Sequence, residues 1–269
     1  MAKKDKIVYV CTNCGNESAK WVGKCPYCSE WNTYREQRIT KSSTRSKDTD
    51  TPHEIQKLTE VSIEKESRLH TYYNEVDRVL GGGIVLGSIV LIGGEPGIGK
   101  STLALQIALK SSKTKTLYIS GEESLRQIKL RAGRLGDEHD NVFLLNETSL
   151  EGILDQCKDF KPELLIIDSI QTLYSESLDS TPGSISQVRE CASQLLKYAK
   201  NTGVPVLIIG HINKEGSIAG PKVLEHIVDV VLQFEGDHNF VYRVLRSLKN
   251  RFGSTSEIGI FEMHTNGLN

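Results

Sequence analysis

Residues 93–102 read "GGEPGIGKST", and the fold of the chain turns on them. Gly94, Gly99, Lys100 and Ser101 fill the pattern G-x-x-x-x-G-K-[ST]. The stretch follows an apolar run, "GSIVLIGG", and opens a helical one, "KSTLALQIALKSS". A glycine-rich turn between strand and helix is the setting of a P-loop. Its glycines let successive backbone N–H groups curl around a phosphate chain at the positive end of a helix. Lys100 can reach the β and γ phosphates, and the Ser101 hydroxyl can ligate Mg²⁺. The candidate nucleotide-binding residues are Gly94, Glu95, Pro96, Gly97, Ile98, Gly99, Lys100, Ser101 and Thr102. The plain alternative, a chance Gly-Lys-Ser in a turn, fits the flanking strand and helix poorly.

On both sides of this stretch, short β-rich runs alternate with helical ones. "TLYIS" is followed by "SLRQIKLRAGRLG", "NVFLL" by "SLEGILDQCKDF", "ELLIIDS" by "ISQVRECASQLLKYAKNTG", and then comes "VPVLIIG". That succession predicts an α/β domain with a mostly parallel sheet and helices on both faces. From "VDVVLQFEGDHNFVYRVLRSLKN" to "EIGIFEM" the strands run back to back, with "EGDHN" as a hairpin turn, so an antiparallel extension should finish the sheet.

Strand ends supply the remaining chemistry. "ELLIIDS" ends in Asp168, an acid suited to the Mg²⁺ shell through water, although many such acids only cap the next helix. "TLYISGEES" places Glu122 and Glu123 after a strand expected to lie beside the P-loop strand. Glu122 is the candidate base for the attacking water, with Glu123 assisting; acids that favour a helix N-terminus are the bland reading. His211 follows "VPVLIIG" and could sense a γ phosphate or be a structural histidine. Lys214, Lys222 and Arg189 are candidate DNA-phosphate contacts, or simply solvated cations. In "KNRFG", Lys249 and Arg251 put two cations at a strand end, as a candidate catalytic finger on the ATP γ phosphate of a neighbouring subunit or, in the competing role, as contacts to DNA phosphates.

The N-terminal region carries Cys11, Cys14, Cys25 and Cys28, two Cys-x-x-Cys pairs with ten residues between them. Four thiolates at that spacing fit one Zn²⁺, and a module this small needs such a staple. Trp21, Tyr27 and Trp31 are either its mini-core or an exposed surface; burial of at least one is expected, because a ribbon has little else to bury. Cys157 and Cys191 lie on helical runs and read as buried small hydrophobes. Composition divides the chain into a ribbon at residues 1–34, a polar linker at 35–57 and a large domain at 58–269.

The 269 residues carry a net charge of −1, so no overall field draws the chain to DNA or to a membrane, and any nucleic-acid site must be a local patch. No apolar run approaches the roughly 20 residues needed to cross a bilayer, and no signal peptide is evident. A soluble, cytoplasmic protein is expected, and the clustered cysteines fit a reducing compartment.

Together the four-cysteine ribbon, "NEVDRVLGGGIVLGSIVLIGGEPGIGKSTLALQIA", "YISGEES", "LLIIDSIQTLYS", "GHINKEGSIAGPKVLEHIVD" and "LKNRFGSTSEIGIFEM" closely resemble the RadA (Sms) family of bacterial DNA repair proteins over essentially the whole chain. KNRFG is the most specific marker. The resemblance implies a RecA-like ATPase forming a hexameric ring, binding single-stranded DNA and acting as a DnaB-like translocase or helicase on branched recombination intermediates with a RecA-type recombinase. It implies Gly99, Lys100, Ser101 and Thr102 at the nucleotide, Asp168 on the Mg²⁺ side, Cys11, Cys14, Cys25 and Cys28 on zinc, and Lys249 and Arg251 as family-motif residues. Family members normally continue into a Lon-protease-like domain, and here the sequence stops at Asn269. The rival expectations are an ATP-gated DNA-binding adaptor without motor activity and a KaiC-like regulatory ATPase.

Overall fold

The computed structural model describes residues 6–11, 15–39, 57, 67–136, 140–211, 221–236 and 241–269. In the N-terminal module, β1 (Lys6–Cys11) pairs antiparallel with both β2 (Glu17–Ser18) and β3 (Tyr34–Ile39). Residues 35–39, assigned to the linker by their polarity, are therefore strand: Arg35 to Ile39 pair with Val10 to Lys6. An edge strand facing water can carry polar side chains throughout, which hides it from a hydropathy reading.

The large domain opens with the short pair β4 (Arg68–Leu69) and β5 (Ile84–Val85) around helix α1 (Asn74–Leu80). Then β6 (Ile89–Gly94) leads into α2 (Lys100–Lys110), β7 (Thr116–Ser120) into α3 (Leu125–Leu135), and β8 (Val142–Asn146) into α4 (Leu150–Phe160). Next, β9 (Leu164–Asp168) precedes α5 (Ile185–Thr202), and β10 (Val206–His211) precedes α6 (Pro221–Ile227). β11 (Val230–Gly236), β12 (Tyr242–Asn250), β13 (Ile258–His264) and β14 (Gly267–Leu268) complete a nine-stranded sheet ordered β14-β13-β12-β11-β6-β10-β9-β7-β8. Strands β6 to β11 run parallel, and β11 to β14 pair antiparallel in sequence.

β6, β7 and β9 are buried along their whole length, as continuous apolar runs in a doubly covered parallel sheet should be. Their side chains alternate between two cores. Val90, Ile92, Tyr118, Ile166 and Ile209 pack with α1, α2 and α3, whereas Ile89, Leu91, Ile119, Ile167 and Ile208 pack with α4, α5 and α6. Cys157 and Cys191 are buried in the second of these layers, where desolvation pushes their thiols up to about 11 and about 12. Local signals start and stop the helices. Ser124 and Gln127 form a reciprocal capping box on α3, and Gly203 ends α5 in the left-handed region.

One neighbour relation differs from expectation. β7 does not lie beside the P-loop strand, because β10 and β9 stand between it and β6. Sequence order fixes which strand precedes which helix, but a right-handed crossover can skip places in the sheet. Among the described residues, no helix is long and apolar enough to cross a membrane.

Candidate functional site

The carboxyl ends of β6, β10, β9 and β7 meet at one edge of the sheet, where open α/β folds bind their ligands. In register, His211 lies beside Gly94, and Ser120 lies beside Asp168. The turn after β6 needs its glycines for steric reasons. A Cβ at Gly94 would lie 2.4 Å from the Phe234 carbonyl oxygen, and Gly99 holds φ +114° at the start of α2. Lys100, in the first turn of that helix, is 3% exposed and donates to the carbonyls of Gly94 (2.9 Å) and Glu95 (2.8 Å). Burial pulls its ammonium down to about 8, and Asp168, Glu122 and Glu95 partly oppose that shift.

Asp168 is 5% exposed, and its Oδ2 accepts a 2.6 Å hydrogen bond from the Tyr118 hydroxyl, whose own pKa burial raises well above the usual phenol value. Tyr118 is a site residue that the motifs did not reveal. The available signal was alternation: Tyr118 pairs with Ile166, so it stands on the same face of the sheet as Asp168. Glu122 reaches the same place. Its Oε1 accepts from Ser169 Oγ at 2.5 Å and lies 3.2 Å from His211 Nε2. His211 and Ser169 together hold its carboxyl down to about 2 against the opposing effect of burial. The resulting stabilisation is present above about pH 4.5 and is lost as pH falls toward about 2. Glu123, expected to assist, is instead engaged by Arg131 of α3.

Two buried polar atoms at this edge have no partner among the described residues, His211 Nδ1 and Gln171 Oε1. Such atoms are costly unless a ligand or water satisfies them. Together with the glycine turn and the buried lysine, they fit a site built for a phosphate chain. Ser101 follows Lys100 at the start of α2, and with Asp168 it offers the hard oxygen donors that Mg²⁺ takes.

The other predicted residues lie apart from this edge. Asn250 pairs with Val230, which pairs with Val90, so the KNRFG turn sits at the end of the sheet away from the P-loop, roughly 13 Å of strand from Gly94. Lys249 Nζ donates to the carbonyls of Glu225 and Val228 (2.7 Å) at the end of α6. Arg251 meets Asp229 at 3.2 Å, and Asp229 is 1% exposed. Arg189 is exposed on α5. Lys214 lies outside the described residues, as does the side chain of Lys222 in α6.

In the ribbon, the thiols of Cys11, Cys25 and Cys28 lie within 4.8 Å of one another, with Cys11 and Cys28 Sγ atoms 3.7 Å apart. A tetrahedron with Zn–S of about 2.3 Å has edges of about 3.8 Å, so the thiols fit zinc. Cys14 lies outside the described residues. The two cysteine loops close alike: Gly15 N–H donates to Cys11 O at 2.8 Å and Ser29 N–H to Cys25 O at 2.9 Å, both from positive φ. The mini-core is Cys11, Cys25 and Tyr34, not the expected aromatics: Trp21, Tyr27 and Trp31 are 53%, 78% and 67% exposed. Among the described residues the ribbon's buried cluster is built from thiols and Tyr34, and the indoles stand outside it. Replacing Cys25 with serine is expected to release the metal and make residues 6–39 protease-sensitive, while ATP turnover by the large domain persists; metal analysis and limited proteolysis check this.

Comparison with known proteins agrees with this geometry. Residues 54–217 match the family profile described as an AAA domain, and residues 9–36 that of a rubredoxin metal binding domain. DNA repair protein RadA of Bacillus subtilis (strain 168) is 50% identical over 272 residues, covering 98% of this chain and 59% of the relative. DNA repair protein RadA of Haemophilus influenzae is 46% identical over 275 residues, covering 100% and 60%. The chain thus spans about three-fifths of the length of these relatives. A KaiC-like protein from Pyrococcus horikoshii OT3 superposes with a TM-score of 0.61 at 22% identity, over 76% of this chain and 98% of that one, a likeness of fold.

Proposed function

The chain belongs to the RadA family of DNA repair proteins, and from that premise we propose that it is the ATP-hydrolysing core of a DNA-dependent motor. In this reading the protein assembles as a ring, moves along single-stranded DNA and processes branched recombination intermediates beside a RecA-type recombinase. The observation that carries the ATPase chemistry is the convergence of Lys100, Asp168, Glu122 and His211 at one sheet edge, beside a glycine turn at a helix N-terminus.

The amides of residues 97–101 cradle the phosphates, and Lys100 turns from the Gly94 and Glu95 carbonyls to the β and γ oxygens. Ser101 and Asp168 would hold Mg²⁺, with the Tyr118 hydroxyl bond fixing the Asp168 rotamer. Bound there, the ion would supply positive charge against the negative charge building on the phosphates. Glu122 orients the attacking water. With its carboxyl held down to about 2, it is ionised at neutral pH but a weak base, so its contribution is alignment and field more than proton abstraction. His211 shares Glu122 Oε1, and its buried Nδ1, without a partner among the described residues, supports a role in reading a γ phosphate from the neighbouring strand.

The KNRFG turn cannot reach its own P-loop from the far end of the sheet. Lys249 and Arg251 therefore act on the nucleotide of an adjacent copy, as a cationic finger supplied in trans. Measuring ATP turnover with and without single-stranded DNA tests the motor reading: a several-fold rise on adding DNA is expected. A DNA-independent rate would favour the KaiC-like regulatory reading instead, and DNA binding without turnover the adaptor.

A further inference from the structure

The exposed indoles of the ribbon have no role in the chemistry above. We propose that Trp21 and Trp31 form a stacking platform for the bases of single-stranded DNA, with Lys24 beside Trp31 for a phosphate. The proposal rests on the DNA-binding reading of the preceding subsection and adds to it a contact site outside the ATPase domain.

The two rings share one spot. A Cβ at Gly23 would lie 3.7 Å from the Trp21 ring and 3.9 Å from the Trp31 ring, so the indoles flank that glycine, and its missing side chain leaves the place between them low. The backbone there is fixed by the second cysteine loop. Asn32 N–H donates to Gly23 O at 2.7 Å and Cys25 N–H to Glu30 O at 2.8 Å, setting Lys24 directly opposite Trp31 across a β-bridge. Lys24 Nζ stands 5.6 Å from the Trp31 ring centroid. A rigid support, two flat faces and a cation on one of them are what an unstacked nucleotide needs, since every base has a π face and each link carries a phosphate.

Charge points the same way. The whole chain is nearly neutral at −1, so affinity for a polyanion must come from a local excess of cations. Between Ala19 and Thr33 there are two lysines against one glutamate, Glu30. A lysine beside two exposed indoles supplies both anchors a single strand uses, a π face for a base and a cation for its phosphate.

The test is direct because Trp21 and Trp31 are the only tryptophans in the chain. Oligothymidylate is titrated into the full chain while tryptophan emission and the anisotropy of a labelled oligonucleotide are followed. The expected result is quenching of emission with the midpoint of the anisotropy rise, reversed by added salt. Trp31→Ala should weaken binding about fivefold or more and Trp31→Phe should retain most of it, both with unchanged zinc content. Rising anisotropy with constant emission would overturn the platform and leave the DNA-binding reading standing. No response in either signal would overturn both. Emission that responds to a protein partner but never to the oligonucleotide would make the surface a protein dock and overturn the platform as well.

Discussion

Lys100→Ala is expected to lower ATP turnover by about 10²–10³-fold with the fold intact, because it removes the motif's buried ammonium at the P-loop. The lysine is held ready near its target, donating at 2.9 and 2.8 Å to the Gly94 and Glu95 carbonyls, in a setting dry enough to pull its pKa down to about 8. A phosphate chain beside it favours the ammonium form, so ATP binding should take up a proton near pH 8. The sign follows: affinity for ATP falls as pH rises through about 8, since binding must then protonate the amine. Lys100→Ala should both weaken ATP binding and abolish that slope. Calorimetry in buffers of different ionisation enthalpy reads the proton directly, and a slope that survives in the variant would assign the proton to another group.

Much of this site was legible in the sequence because its parts are local. The P-loop is a contiguous pattern, Asp168 ends an apolar run, and the cysteine pairs keep a fixed spacing. What depended on strand order was not legible. Tyr118 reaches Asp168 only because β7 lies next to β9, and His211 reaches Glu122 across residues 89 positions apart. Glu122 and Glu123 are equal as letters, yet one faces Ser169 and His211 and the other meets Arg131 of α3. The exposure of Trp21 and Trp31 was likewise hidden, since a hydropathy pattern does not say that the ribbon's buried cluster is made of thiols and Tyr34. β3 escaped because its run YREQRI is polar between its two ends.

The second large effect concerns Lys249. Its ammonium donates to the carbonyls of Glu225 and Val228, and the adjacent Arg251 is anchored by the buried Asp229. These contacts anchor the turn at the sheet end opposite the P-loop, away from the chain's own nucleotide site, and in the proposed ring the turn would serve a neighbour's nucleotide. Lys249→Ala should therefore cost turnover on the scale of a lost cationic finger, about 10³-fold, while ATP binding to the variant's own P-loop is retained. A loss that arose from a loosened α6 would instead lower thermal stability and ATP binding together.

Mixing the two inactive proteins tests the central claim most directly. Lys249→Ala supplies an intact P-loop and Lys100→Ala an intact turn, so every junction pairing the two in the right order is complete. If subunits mix at random, about a quarter of junctions qualify, and ATP turnover should recover to about a quarter of the wild-type rate. Mixed assemblies that stay as inactive as either variant, with subunit exchange verified by mass, would contradict an ATP site completed by its neighbour.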